Sequence, residues 1–99
     1  MGTPAGFQWD EAKNRANIRK HGIDFRDAVL IFNGPTLDRV DDRRGYDESR
    51  LNSIGDIEGL AIVNVTHTDR NGDIRLISAR RANRVERDMY EAFRRDSTA

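Results

Sequence analysis

Arg80 stands in the run Ser78-Ala79-Arg80-Arg81-Ala82, where an apolar alternating segment gives way to a helical one. A guanidinium at a strand end, beside the unpaired amides that open a helix, is suited to holding an anion such as a phosphate. Ser78 lies two residues back and so shares the strand face of Arg80. Asn83-Arg84-Val85-Glu86 follows with the spacing of a capping box, in which Asn83 and Glu86 each satisfy the other's backbone amide. Glu86 therefore has two readings, a cap or a proton acceptor, and the cap alone accounts for it. Tyr90, one turn on, either stacks on a base or edges the core.

A second constellation lies near the start. Lys13, Asn17, Lys20 and His21 fall at i, i+4, i+7 and i+8, which places them on one face of a helix. Ammonium groups suit phosphate, and histidine is the side-chain type that exchanges a proton near neutral pH. The alternative is a solvated face, with His21 stabilising the negative end of its helix. A third group, Thr66-His67-Thr68-Asp69-Arg70, closes a strand, where His67 and Arg70 are expected to reach the same rim as Arg80. The plain alternative for Asp69 and Arg70 is hairpin charges. Arg50 is expected to project toward that rim from another strand. Other chemistries find no support. There is no cysteine for a thiolate, and the histidines lack ligand spacing. Asp41 and Asp42 are adjacent on a strand and so face opposite ways. No glycine-rich nucleotide loop or Gly-x-Ser-x-Gly elbow is present. No metal or cofactor is expected.

The elements that must position these residues follow from periodicity. Phe7 and Trp9 lead into a helix over Glu11–His21, capped by Asp10 and ended by Gly22, with Ala12, Ala16 and Ile18 as its narrow apolar side. Asp24 caps a second helix whose stripe is Phe25, Ala28, Val29 and Phe32, and Asn33-Gly34-Pro35 stops it. Four strands are expected over Thr36–Asp42, Ser49–Ile57, Leu60–Thr68 and Ile74–Arg80. A charged turn over Arg43–Asp47 joins the first two, Glu58-Gly59 the next pair, and Asn71-Gly72 the last. Gly55 marks a bulge or a close approach. Leu60–Thr68 is apolar on both faces and reads as central. In the last strand Ile74, Leu76 and Ser78 alternate with Arg75, Ile77 and Ala79. A final helix starts at Asn83 with an apolar face of Ala82, Val85, Met89, Ala92 and Phe93, and Ser97–Ala99 are expected to fray. The fold class is α+β: two N-terminal helices, a four-stranded antiparallel sheet and a C-terminal helix. Residues 7–96 form a single domain, preceded by a loose leader over residues 1–6.

Length and charge bound the rest. A chain of 99 residues has room for one small core. Its apolar and charged fractions, 36% and 34%, are nearly equal, but the apolar residues are periodic, which argues against disorder. No apolar run is long enough to span a bilayer, and with no charged-then-apolar stretch at the start no signal peptide is expected. With no cysteine, the chain suits a reducing cytoplasm. The formal net charge is zero, yet Lys13 to Arg26 and Arg75 to Arg87 are both basic, while Asp38 to Glu48 carries the acidic counterweight. Such polarity permits contact with nucleic acid.

Taken together, the residues resemble the BrnT toxin family. The resemblance is carried by Trp9-Asp10-Glu11-Ala12-Lys13, Asn17-Ile18-Arg19-Lys20-His21-Gly22-Ile23-Asp24-Phe25 and Ala28. It continues in Glu48-Ser49-Arg50 with Gly55, in Val65-Thr66-His67-Thr68-Asp69-Arg70, and in Ile74 through Ala82, ending with Glu86 and Tyr90. It runs from about Phe7 to Tyr90. It implies a fold related to the RelE toxins, with helices packed on an antiparallel sheet, and a ribonuclease that halts translation. The implied partners are an RNA substrate and a BrnA-like antitoxin with a ribbon-helix-helix DNA-binding part, so that operator DNA is reached only through the antitoxin. On this basis a metal-independent reaction is expected, in which the RNA 2′-hydroxyl attacks the adjacent phosphorus. Arg80 and Arg70 are the candidates for phosphate charge, and His21, His67 and Glu86 for proton transfer. Lys13, Lys20, Arg50 and Arg84 would hold the RNA backbone, and Tyr90 would stack a base. The alternative that stays open is a non-catalytic module binding nucleic acid or protein, because each candidate acid or base also has a structural explanation.

Overall fold

The structure is a computed structural model that describes residues 3–41 and 49–98. Along the chain come strand β1 (Phe7–Gln8), helix α1 (Glu11–His21) and helix α2 (Phe25–Ala28), which runs into a 3-10 turn over Val29–Asn33. Strands β2 (Leu37–Asp41), β3 (Arg50–Ile57), β4 (Ala61–Arg70) and β5 (Asp73–Arg81) follow, then helix α3 (Arg84–Thr98). The charged turn expected over Arg43–Asp47 lies outside the described residues, as do Asp42 and Ala99. Ser97 and Thr98, expected to fray, continue α3.

The sheet has five strands in the order β1-β5-β4-β3-β2 and is mixed, because β1 runs parallel to β5 while the other pairs are antiparallel. The expectation of four antiparallel strands missed β1. Two residues are too short for alternation to register, and they are held by distant contacts. Ile74 donates its amide to the Gly6 carbonyl at 2.9 Å, and the Phe7 ring meets Phe32 at 5.7 Å. The end of the expected loose leader is thus tied to the sheet.

One face of the sheet packs under α1, α2 and the 3-10 turn, burying Trp9, Phe25, Val29, Ile31, Val63, Val65, Leu76 and Ala79. The other carries α3 over one half, where Tyr90 and Phe93 meet Ile54, Leu37 and Ile62. Gly55 is a close approach: a Cβ there would lie 2.7 Å from Cβ of Ile31. The second helix is not one continuous α-helix. It tightens into 3-10 winding after Ala28, which eclipses residues three apart and brings Ile31 under Ala28, into the core. Val85, expected on the apolar face of α3, is 65% exposed, and Tyr90 takes its place in the core.

The irregularity in the sheet lies in β5. Thr66 faces Ser78 but His67 faces Leu76, so Ile77 is an extra residue with no partner across the ladder. Such a bulge reverses the facing of everything beyond it. Leu76 and Ala79 both enter the helix-covered core, while Ser78 and Arg80 turn to the opposite face. Simple alternation, with Leu76 and Ser78 on one side, does not hold.

Helix α1 buries no apolar side chain; its buried residues are Asn14 and Asn17, while Ala12, Ala16 and Ile18 lie exposed. The expected apolar side therefore does not pack. Asn17 has a clear reason to be mid-helix. Strand β1 covers the edge of β5 only at Ile74 and Arg75. Further along, the Asn17 side chain acts as a strand: its Nδ2 donates to the Ala79 carbonyl at 2.8 Å, and its Oδ1 accepts from the Ala79 amide at 3.1 Å. The same Nδ2 donates to the Ile23 carbonyl at 2.9 Å. Asn14 does similar work toward α2, accepting from the Phe25 amide at 2.8 Å and donating to Asp24 at 3.0 Å. Asn17→Ala strips three buried backbone groups of partners. It is expected to destabilise the protein by at least about 2 kcal/mol, read as a lower midpoint in urea denaturation. A loss within experimental error would refute this account of how α1 is docked.

Candidate active site: a polar pocket between α1 and α3

The half of the second sheet face that α3 leaves uncovered forms a pocket of about 580 Å³. Its floor is Asn52 on β3, Asn64 and Thr66 on β4, and Ser78 and Arg80 on β5. Its walls are Lys20 and His21 at the end of α1, Arg39 and Asp41 on β2, and Glu86 in the first turn of α3. The bulge at Ile77 brings Ser78 and Arg80 to this face, and the Asn17–Ala79 contact sets the end of α1 beside them.

At the centre Arg80 and Glu86 form a two-pronged pair, Nη1 to Oε1 at 2.8 Å and Nη2 to Oε2 at 2.9 Å. Glu86 is also the capping-box carboxylate, accepting from the Asn83 amide while Asn83 accepts from the Glu86 amide, both at 2.9 Å. Asn64, directly across the ladder from Arg80, donates its Nδ2 to Glu86 at 2.9 Å. The Arg80 hydrogen bonds above all, helped by Asn83 and Asn64 against the opposing effect of burial, hold the Glu86 carboxyl down to about 2 from its ordinary 4.5. A carboxylate so well satisfied is a poor proton acceptor; what it does is aim the guanidinium. The Glu86 side chain is 12% exposed and that of Arg80 42%, so the cation still faces the pocket. Oδ1 of Asn64 is buried with no hydrogen-bond partner among the described residues.

A family model described as the ribonuclease toxin, BrnT, of type II toxin–antitoxin systems matches residues 9–86. The chain belongs to the BrnT family. Among solved structures it is similar to the 1.1 Å crystal structure of the Brucella abortus ribonuclease toxin BrnT, with 31% sequence identity and a TM-score of 0.59, covering 79% of this chain and 96% of that one. No curated protein matches. Membership of this family implies an RNA substrate and an antitoxin partner.

Within this BrnT fold the candidate residues divide. Arg80, Glu86, Lys20 and His21 meet in the pocket. Lys13 lies on a shallower groove shared with Lys20, His21, Ile77 and Ser78, which leads along α1 toward it. Arg84 is exposed at the first position of α3, outside the pocket lining. Arg50 sits opposite Asp41, beyond the lining residues on the same face.

Three expectations need correction. His67 does not share a rim with Arg80: it faces Leu51 and Leu76 on the helix-covered side, buried, with Nε2 at 2.7 Å from Ser53 Oγ and its ring edge-on to Phe32. Burial pushes its pKa down, partly countered by Asp38. Arg70 ends β4, six positions beyond Asn64, roughly 20 Å away at about 3.3 Å per residue. Tyr90 is 3% exposed, and its hydroxyl donates to the Pro35 carbonyl at 3.2 Å, so it is a core residue with no face for a base.

Sequence reasoning missed Arg39, Asn52 and Asn64. The signal for Asn64 was present: an amide in the middle of an otherwise apolar central strand calls for a buried partner. Among the described residues no three His, Cys, Asp or Glu side chains gather as a metal site requires, and no helix is long and apolar enough to cross a membrane.

The depressed Glu86 carboxyl links stability to pH. Its folded-state value lies below 4.5, so its contribution is present above that pH and is lost as pH falls toward about 2. Glu86→Gln is therefore expected to flatten the dependence of unfolding free energy on pH across this acid range. Parallel curves for the two proteins, measured by denaturant titration, would contradict the pairing.

Proposed function

We propose that this protein is a metal-independent endoribonuclease toxin that cleaves RNA through attack of the 2′-hydroxyl and thereby halts translation. The observation that carries the reading is the Arg80 guanidinium, held in one orientation by Glu86 and facing a cationic polar pocket that His21 also lines. The reaction forms a bond from the 2′-oxygen to phosphorus and breaks the bond to the 5′-oxygen, leaving a 2′,3′-cyclic phosphate and a 5′-hydroxyl. One proton leaves the 2′-hydroxyl and one is delivered to the departing oxygen. Arg80 stabilises the charge that builds on the phosphate, with Lys20 and Arg39 beside it. His21 is the proton-transfer residue, because it is the histidine that lines the pocket. Glu86 acts as a positioning residue for Arg80. Lys13 and Lys20 carry the RNA backbone along α1, and Arg50 and Arg84 extend the cationic surface beyond the pocket.

The remaining parts of the proposal rest on the family. The toxin acts in the cytoplasm as a single domain over residues 7–96. An antitoxin of ribbon-helix-helix type neutralises it and brings the pair to operator DNA.

Purified protein incubated with single-stranded RNA in EDTA is the test. The wild type is expected to yield cyclic phosphate ends, and Arg80→Ala to lose on the order of 100-fold or more in rate. Arg80→Lys is expected to recover little, since an ammonium lacks the fork that Glu86 grips. Undiminished cleavage by a folded Arg80→Ala protein would remove Arg80 from the chemistry, and intact RNA with wild type would leave binding without reaction.

A second expectation concerns His21. His21→Gln is expected to lower the cleavage rate at saturating RNA while RNA affinity changes little. An undiminished rate in the folded variant would assign proton transfer elsewhere.

A further inference from the structure

Across β3, β4 and β5 the register sets Asn52, Thr66 and Ser78 directly opposite one another, on the face that holds the pocket. The next row along the strands is Asn64 and Arg80, about 7 Å away at two residues per repeat. The row is uncharged. Thr66 Oγ1 donates to Asn52 Oδ1 at 2.6 Å, which fixes the Asn52 amide and leaves its NH2 group over. Among the described residues neither that NH2 nor the Ser78 hydroxyl has a hydrogen-bond partner, and both residues line the pocket.

The contrast within the protein is informative. Asn14 and Asn17 spend both ends of their amides on fixed partners. Ser53 bonds both Asp38 and His67. In the pocket row the Asn52 amide is held through its oxygen, and its NH2 group and the Ser78 hydroxyl have no partner among the described residues. Beside them the buried Oδ1 of Asn64 also lacks a partner among the described residues, while its Nδ2 is anchored to Glu86.

The row lies one repeat from Arg80, within reach of a nucleoside adjoining a phosphate held there. Contacts to phosphate carry no sequence information, whereas the edges of unpaired bases present distinct patterns of donors and acceptors. Among the described residues no Phe, Tyr or Trp lines the pocket, and over this row Asn52, Thr66 and Ser78 offer a base hydrogen-bonding groups. We propose that Asn52, Thr66 and Ser78 form a subsite that reads the edge of an unpaired RNA base next to the phosphate held by Arg80, and so give the protein a base preference. This rests on the reading of the pocket as an RNA site, and its test is separable from cleavage.

The experiment measures binding of fluorescein-labelled single-stranded RNA pentamers that differ only in the central base, at one fixed salt concentration. The same samples are run on a gel for cleavage products. Wild type is expected to show a spread of about tenfold or more in affinity among the four bases, collapsing to within about threefold in Asn52→Ala/Ser78→Ala. Asn52→Asp keeps the shape but replaces the donor with an acceptor, and is expected to move the preference to a different base. Thermal unfolding midpoints close to wild type verify that the variants are folded. No spread in wild type, or an unchanged spread in the folded double variant, overturns the subsite. A spread that obeys these substitutions without any cleavage supports the subsite while overturning the nuclease reading.

Discussion

The Asn17 side chain completes the edge of β5 where the short parallel strand β1 leaves off, taking both the amide and the carbonyl of Ala79. Apolar burial contributes little to holding α1, whose buried residues are two asparagines. Its position is therefore set by directional bonds rather than by shape-tolerant packing. Hydrogen bonds impose geometry within a few tenths of an ångström, whereas apolar contacts allow sliding. Because Ala79 adjoins Arg80, the same bonds that close the sheet edge fix Lys20 and His21 relative to the guanidinium across the pocket.

The other half of the pocket depends on local backbone chemistry. The bulge at Ile77 turns Ser78 and Arg80 away from the core just before the strand ends. Three residues later the capping box of α3 begins, and its carboxylate serves two purposes, closing the helix terminus and gripping Arg80. A residue that caps a helix cannot drift, so Arg80 inherits the rigidity of α3. Strand β4 joins the two through Asn64, which spans from Arg80's ladder partner position to Glu86.

The zero net charge is less at odds with an RNA-binding surface than it first looks. Several of the acids are engaged in intramolecular hydrogen bonds or ion pairs. Asp10 and Asp24 cap helices, Asp56 accepts from the Gly59 amide, Asp38 accepts from Ser53 and Thr36, and Glu11 pairs with Arg26. Among the described residues Lys13 and Lys20 on α1 carry no such tie, which favours a positive field along that helix even though the total cancels.

The sequence by itself determined the features that short-range chemistry controls. The caps at Asp10, Asp24 and Gly22, the capping box of Asn83 and Glu86, the Asn71-Gly72 hairpin and the close approach at Gly55 each depend on a few neighbouring residues or on a single missing side chain. Family membership was legible for the same reason, through strings such as Trp9-Asp10 and Ile77-Ser78-Ala79-Arg80. Tertiary structure alone decided which of the candidate residues meet. Asn17 is mid-helix because of a strand edge 62 positions away. His67 is lost to the core because it continues the inward face of Val63 and Val65 on β4, Ser78 is gained for the pocket because one extra residue in β5 reverses the alternation, and Asn52 and Asn64 join the site through cross-strand register. No local pattern encodes a partner that distant; it is selected only when the whole sheet closes and every buried amide must find its bond.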